Sequence, residues 1–111
     1  MSVFKLSTTQ EVTIDSNAID AFDLKIMNIG DRVFDVLVEL KLADTLVFIS
    51  LFQILPGTTW AQEDFPTGAG PFQLLIVTNR DTIHTTNLIV IAKKAGELVS
   101  VYTQEECERM K

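Results

Sequence analysis

The side chains able to carry acid–base, nucleophilic or metal chemistry are few in this chain, and they are scattered. It has one histidine, His84, and one cysteine, Cys107. A nucleophile needs a base of matched proton affinity beside it, and imidazole is the usual partner. His84 sits among Thr82, Ile83, Thr85 and Thr86 and reads as a surface imidazole beside hydroxyls. Cys107 falls in the polar tail 104–111, where the thiol is expected to be accessible. A single cysteine cannot form an internal disulfide, which leaves a reduced thiol or a bridge between subunits in oxidising surroundings. One Cys and one His cannot close a tetrahedral metal site either. The expectation is therefore a non-enzyme with no catalytic residue, no metal and no cofactor.

Carboxylates are plentiful: Asp15, Asp20, Asp23, Asp31, Asp35 and the pair Glu63-Asp64. They lack the fixed ligand spacing of a calcium loop, and alternation puts Asp23 and Asp35 on solvent faces, where charge discourages pairing between sheet edges. A calcium-dependent adhesion domain is the reading they would otherwise support. The stretch 67–71 contains Gly68 and Gly70 but lacks the helix and lysine of a phosphate loop. Trp60 and Phe65 flank the start of this glycine- and proline-rich segment. Aromatics in such a place can form a platform for a glycan or a protein, while core packing is the commoner fate of a lone Trp.

The elements that position these residues are nearly all strands. Phe22, Leu24 and Ile26 alternate with Asp23, Lys25 and Met27, the pattern of a strand with one buried face. Asn28-Ile29-Gly30-Asp31 reverses the chain, and Phe34, Val36, Val38, Leu40 and Leu42 then share one face of the next strand. Residues 46–54 are apolar on both faces, as in a central strand covered on both sides or one whose second side meets another subunit. Leu55-Pro56-Gly57-Thr58 has the order of a type II turn, with glycine where φ is positive. Residues 59–63 continue as a strand, and 64–71, with two prolines and two glycines, read as a long loop. Further strands are expected at 72–78, 88–93 and 98–102, with 82–86 extending one of them. Near the start, 3–7 and 11–14 read as short extended pieces. Thr103 with Glu106 matches a capping box, so a helix of about two turns is expected in 104–111.

These elements indicate an all-β fold, an antiparallel β-sandwich, jelly-roll-like, with a short C-terminal helix. Its parts would be an N-terminal extended segment at 1–10, the sandwich at 11–103 and a helical tail at 104–111. At 111 residues the chain fits one core. A net charge of −6 argues against nucleic acid and anionic membrane as partners. No apolar run reaches membrane-spanning length, and no signal peptide is visible. Synthesis in the cytoplasm is expected, with lysis as a route to a cell or spore surface.

The hydrophobic content of 47% and mean hydropathy of +0.25 are high for so small a domain. Copies of the chain are therefore expected to cover one another as a homo-oligomer or filament. In 3–7, Val3 alternates with Phe4 and Leu6; as a donor strand this segment would add to a neighbour's sheet edge, with the two larger side chains as anchors. An ordinary first strand in its own domain is the alternative.

The turn Asn28-Ile29-Gly30-Asp31 followed by strand 33–42, together with Ile54-Leu55-Pro56-Gly57-Thr58, resembles the small jelly-roll subunits of bacterial endospore appendages over about residues 22–92. The resemblance implies a self-assembling structural subunit with an N-terminal connector that reaches into its neighbour, often cross-linked through cysteines. The N-terminus here has no cysteine, and Cys107 is the one thiol available for such a link.

Overall fold

The computed structural model describes residues 2–7, 19–43, 45–67, 71–80 and 84–110. The expected extended piece at 11–14 lies outside the described residues. The strands are β1 Ser2–Ser7, β2 Ala21–Asn28, β3 Phe34–Leu42, β4 Thr45–Ile54, β5 Thr59–Pro66, β6 Phe72–Thr78, β7 Thr86–Lys94, β8 Glu97–Thr103 and β9 Glu108–Met110. They form two antiparallel sheets, one of five strands in the order β4-β3-β6-β1-β9 and one of four in the order β5-β2-β7-β8. The expected β-sandwich is the observed fold.

Alternation builds the interior. Phe4 and Leu6 from β1, Val36, Val38 and Leu40 from β3, and Leu74 and Ile76 from β6 face Phe22, Leu24 and Ile26 from β2 and Leu88 and Val90 from β7, all buried. Phe22 anchors one end, its ring centroid 5.1 Å from that of Phe65 and 5.7 Å from that of Phe72. Side chains of period two from both sheets interdigitate, and the apolar area they remove from water is the main force holding the sheets together.

The connections follow from local backbone chemistry. β7 and β8 are joined by Ala95-Gly96, both left-handed with φ of 51° and 81°, the paired positive angles of a tight type I′ hairpin. Gly57 has φ of 74°, and Thr58 donates from its amide to the Leu55 carbonyl at 3.1 Å, so the expected type II turn is present. Gly30 has another role: a Cβ there would lie 2.8 Å from the Cβ of Thr85, too close for any other residue without displacement of that strand end.

Asn28, fully buried at the end of β2, fastens this end of the sandwich. Its side-chain amide donates to the carbonyls of Arg32 at 2.8 Å and Ile54 at 2.9 Å. Its Oδ1 accepts from the Gly30 amide at 3.0 Å. The backbone of Asn28 donates to Thr58 and accepts from Gly57. One residue thereby ties β2 to the following turn, to the end of β4 and to the turn before β5.

Four expectations are corrected. The 104–111 tail is not helical: a single 3-10 turn, Gln104–Glu106, leads into β9. Two helical turns do not recover their nucleation cost, whereas 108–110 can complete hydrogen bonds along the edge of β1, with Val3 opposite Met110 and Lys5 opposite Glu108. Residues 2–7 of the 1–10 segment form an ordinary strand of their own domain and not a donor strand, since β1 pairs with β6 over six residues and with β9 on its other side. The 64–71 segment is not all loop: β5 continues to Pro66 because Asp64 takes a left-handed φ of 58° within a bulge that lies between the Phe22–Phe65 and Leu24–Gln62 pairs, which lets the strand bend and resume pairing. Finally, β4 is not central; among the described strands it pairs with β3 alone.

Candidate functional site

His84 and Cys107 lie in separate elements, the turn before β7 and the segment between the 3-10 turn and β9. His84 is exposed in the turn that leads into β7. Cys107 is 7% exposed, its Sγ 3.7 Å from the Thr103 carbonyl oxygen. The expectation of an accessible thiol is overturned, because the 3-10 turn rolls Cys107 inward against the core. No group of three or more His, Cys, Asp or Glu able to hold a metal ion occurs among the described residues.

Asp20, Asp23, Asp35 and Asp64 are engaged locally. Asp20 accepts from the Ala95 amide at 3.1 Å, and Asp35 accepts from Asn79 Nδ2 at 3.2 Å. Asp23, only 8% exposed, receives Lys93 Nζ at 2.9 Å and the Asp64 amide at 2.9 Å. Lys93 also reaches Asp64 at 3.2 Å. Burial pushes the Asp23 carboxyl up, but the hydrogen bonds from Lys93 and the Asp64 amide, with the charges of Lys93 and Lys25, outweigh it and hold the group below its ordinary value. Hydrogen bonds to Asp23 and then Asp64 raise the Lys93 ammonium. This cluster clamps β5, β2 and β7 together across the outer face of their sheet.

Trp60 and Phe65 belong to the seam between the sheets. Phe65 is buried and meets Phe48 of β4 edge-on at 4.7 Å, so it is not available as a ligand platform. Trp60, half-buried, stacks on Phe52 of β4 with centroids 4.3 Å apart and rings 16° from parallel. These two contacts join the outer strand of one sheet to the outer strand of the other and close that side of the sandwich. The opposite side is closed by the short passage from β8 through the 3-10 turn to β9.

The surface chemistry is concentrated on strand edges. β4 reads TLVFISLFQI, ten residues without an ionisable group or proline. Its Phe48, Phe52 and Ile54 turn inward, and Leu46, Val47, Ile49 and Leu51 are exposed, Leu51 to 73%. On the outer face Leu51 opposes Leu37, Leu37 opposes Val77, and Val77 opposes Val3, an apolar row four strands wide. The parallel row is Ile49, Glu39, Leu75 and Lys5. On the other side of the sandwich, β8 exposes Leu98, Val99 and Val101 and carries no charge beyond Glu97. β4 and β8 each carry one bulge, at Val47 and Val99; the other two edges are guarded more heavily, β5 by Glu63, Asp64, a bulge and Pro66 and β9 by its length of three residues.

The molecule is thus an antiparallel β-sandwich with two apolar strand edges on opposite sides. No protein-family model matches the chain, and no curated protein matches it by sequence. Its fold is similar to that of a solved structure of Thermotoga maritima 1070, with a TM-score of 0.54 over 92% of this chain and 88% of that one, at 12% identity. At that identity the likeness concerns the fold alone. Among the described residues no helix is long and apolar enough to cross a membrane. The edge β4 was legible in sequence as an uncharged run, but its place at the rim follows from strand order, which local patterning does not encode.

Proposed function

We propose that this chain is a non-enzymatic structural subunit that assembles with copies of itself, through strand addition and apolar sheet surface, into a fibre, coat or appendage. The observation that carries the reading is the ten-residue uncharged edge β4 with Val47, Ile49 and Leu51 facing out. Among the described strands this edge pairs with β3 alone, and the outer backbone groups of an edge strand, next to apolar side chains, are a template for another strand. β8 supplies a second edge of the same kind on the far side. Two adhesive edges on opposite sides favour open propagation over ring closure. Strand addition here uses exposed edges, whereas β1, with Val3, Phe4 and Leu6, is committed to its own sheet.

Light scattering coupled to size exclusion over a concentration series, with negative-stain microscopy of the same samples, tests the reading. Concentration-dependent oligomers or filaments are expected. A monodisperse monomer at millimolar concentration overturns it. The alternative, a recognition module acting through the 60–71 region, draws less support, since Phe65 is buried and Trp60 spends one face on Phe52.

A further inference from the structure

We infer that β4 pairs antiparallel with β4 of a second copy across a two-fold axis near Ile49, joining two five-stranded sheets into one of ten strands. The inference rests on the self-assembly reading and specifies its first contact.

Charge selects this edge over β5, and its length over β8, which has seven residues to its ten. The chain carries −6, so association of like surfaces is opposed wherever acidic groups meet. Two copies of β5 would bring the carboxylates of Glu63 and Asp64 to within about 5 Å of their counterparts, the distance between directly opposed residues. Two copies of β4 bring no charge together, because residues 45–54 contain none. The nearest acidic group in the Ile49 row is Glu39 on β3. Across a β4–β4 seam two Glu39 residues are three strand spacings apart, about 14 Å, beyond the Debye length of about 8 Å at physiological salt.

Geometry agrees. With Ile49 at the axis, Ile49 meets its own copy, and Leu51 meets Val47, the extra residue of a bulge in β4, so these three exposed side chains find apolar partners. The inward Phe48 meets Ser50, which avoids opposing two large rings. With that axis residues 45–53 pair, a seam about 30 Å long, and the Leu51–Leu37–Val77–Val3 row is extended by Val47 of the second copy, which lies beside that copy's Lys41. A β4–β8 seam would match ten residues against seven and join sheets of different width.

The test uses the full chain with Ile49→Lys and Ile49→Glu variants, each checked for native circular dichroism, and native mass spectrometry for stoichiometry. Wild type is expected as dimers or multiples of dimers. Each variant alone places like charges face to face at the axis and is expected to raise the dimer dissociation constant about fivefold or more, the equivalent of a cross-strand penalty of about 1 kcal/mol. An equimolar mixture is expected to restore a heterodimer, an outcome that general loss of folding cannot produce. Val101→Lys on β8 leaves this dimer in place. Variants that remain dimeric, or a mixture that does not recombine, overturn the β4 pairing. If wild type assembles and only Val101→Lys disperses it, the pairing falls and the self-assembly reading stands; a wild-type monomer removes both. Should either charged variant fail to fold, Ile49→Thr, which keeps a β-branched side chain, is expected to weaken the dimer in the same direction; unchanged association of that variant overturns the pairing.

Discussion

Replacing Asn28 removes the fastening at one end of the sandwich, and its cost can be worked from the bonds. Asn28→Ala deletes two donor bonds, to Arg32 and Ile54, and one acceptor bond, from Gly30. At about 1 kcal/mol net for each the loss is about 3 kcal/mol. The bond to Ile54 joins buried atoms, and a carbonyl left there without a partner adds to the cost, giving a range of about 3–5 kcal/mol. Against a total of about 5–15 kcal/mol for a domain, that is a large fraction. Asn28→Asp costs more above the carboxyl's pKa, since a buried carboxylate then faces two carbonyl oxygens, and the deficit shrinks in acid where the protonated carboxyl regains one donor. The assay is equilibrium unfolding in urea, with Asn87→Ala on the exposed face of β7 as a control expected within about 0.5 kcal/mol of wild type. Hydrogen exchange gives a local readout, with the Gly30 amide losing protection. A loss below about 1 kcal/mol for Asn28→Ala, at an unchanged denaturant slope, refutes the reasoning.

Other outcomes follow from single features. Ala95→Gly relieves a left-handed alanine in the β7–β8 turn and is expected to raise stability by about 1 kcal/mol in the same assay. Asp23→Asn lowers the melting temperature at neutral pH. Because the Asp23 carboxyl titrates below its unfolded value, its contribution is present above pH about 4 and lost as pH falls through the folded value, so wild type and variant converge in acid. The raised Lys93 adds stability that is fully present below pH about 10 and is lost at higher pH as that ammonium deprotonates. Trp60→Ala removes the stack on Phe52 and is expected to lower stability by about 3 kcal/mol; an unchanged melting temperature would instead favour a binding role for Trp60. Cys107 is expected to react with a thiol reagent only in denaturant; rapid reaction of the native protein would contradict its burial.

Much of the sandwich was legible in sequence. β2, β3, β6 and β7 alternate cleanly because each has one face on the core, and the type II turn at 55–58 is written by Pro56-Gly57. The misread parts are those decided by partners distant in the chain. Residues 108–110 become a strand because β1 leaves an edge to fill, which a capping-box pattern does not reveal. Asp64 extends β5 through an uncommon backbone conformation stabilised by its amide bond to Asp23. The run in β4 reads the same whether both faces are covered or one is bare, so the candidate surface was visible as composition and invisible as position.

The order of strands also governs how the chain reaches its native state. β1 lies between β6 and β9, with Ser2 opposite Thr78, so it is made long before either of its neighbours. Loop closure over such spans is slow compared with local hairpin formation. During that interval β3 and β4 are already able to pair as a hairpin, with greasy side chains bare on both sides until the second sheet covers one of them.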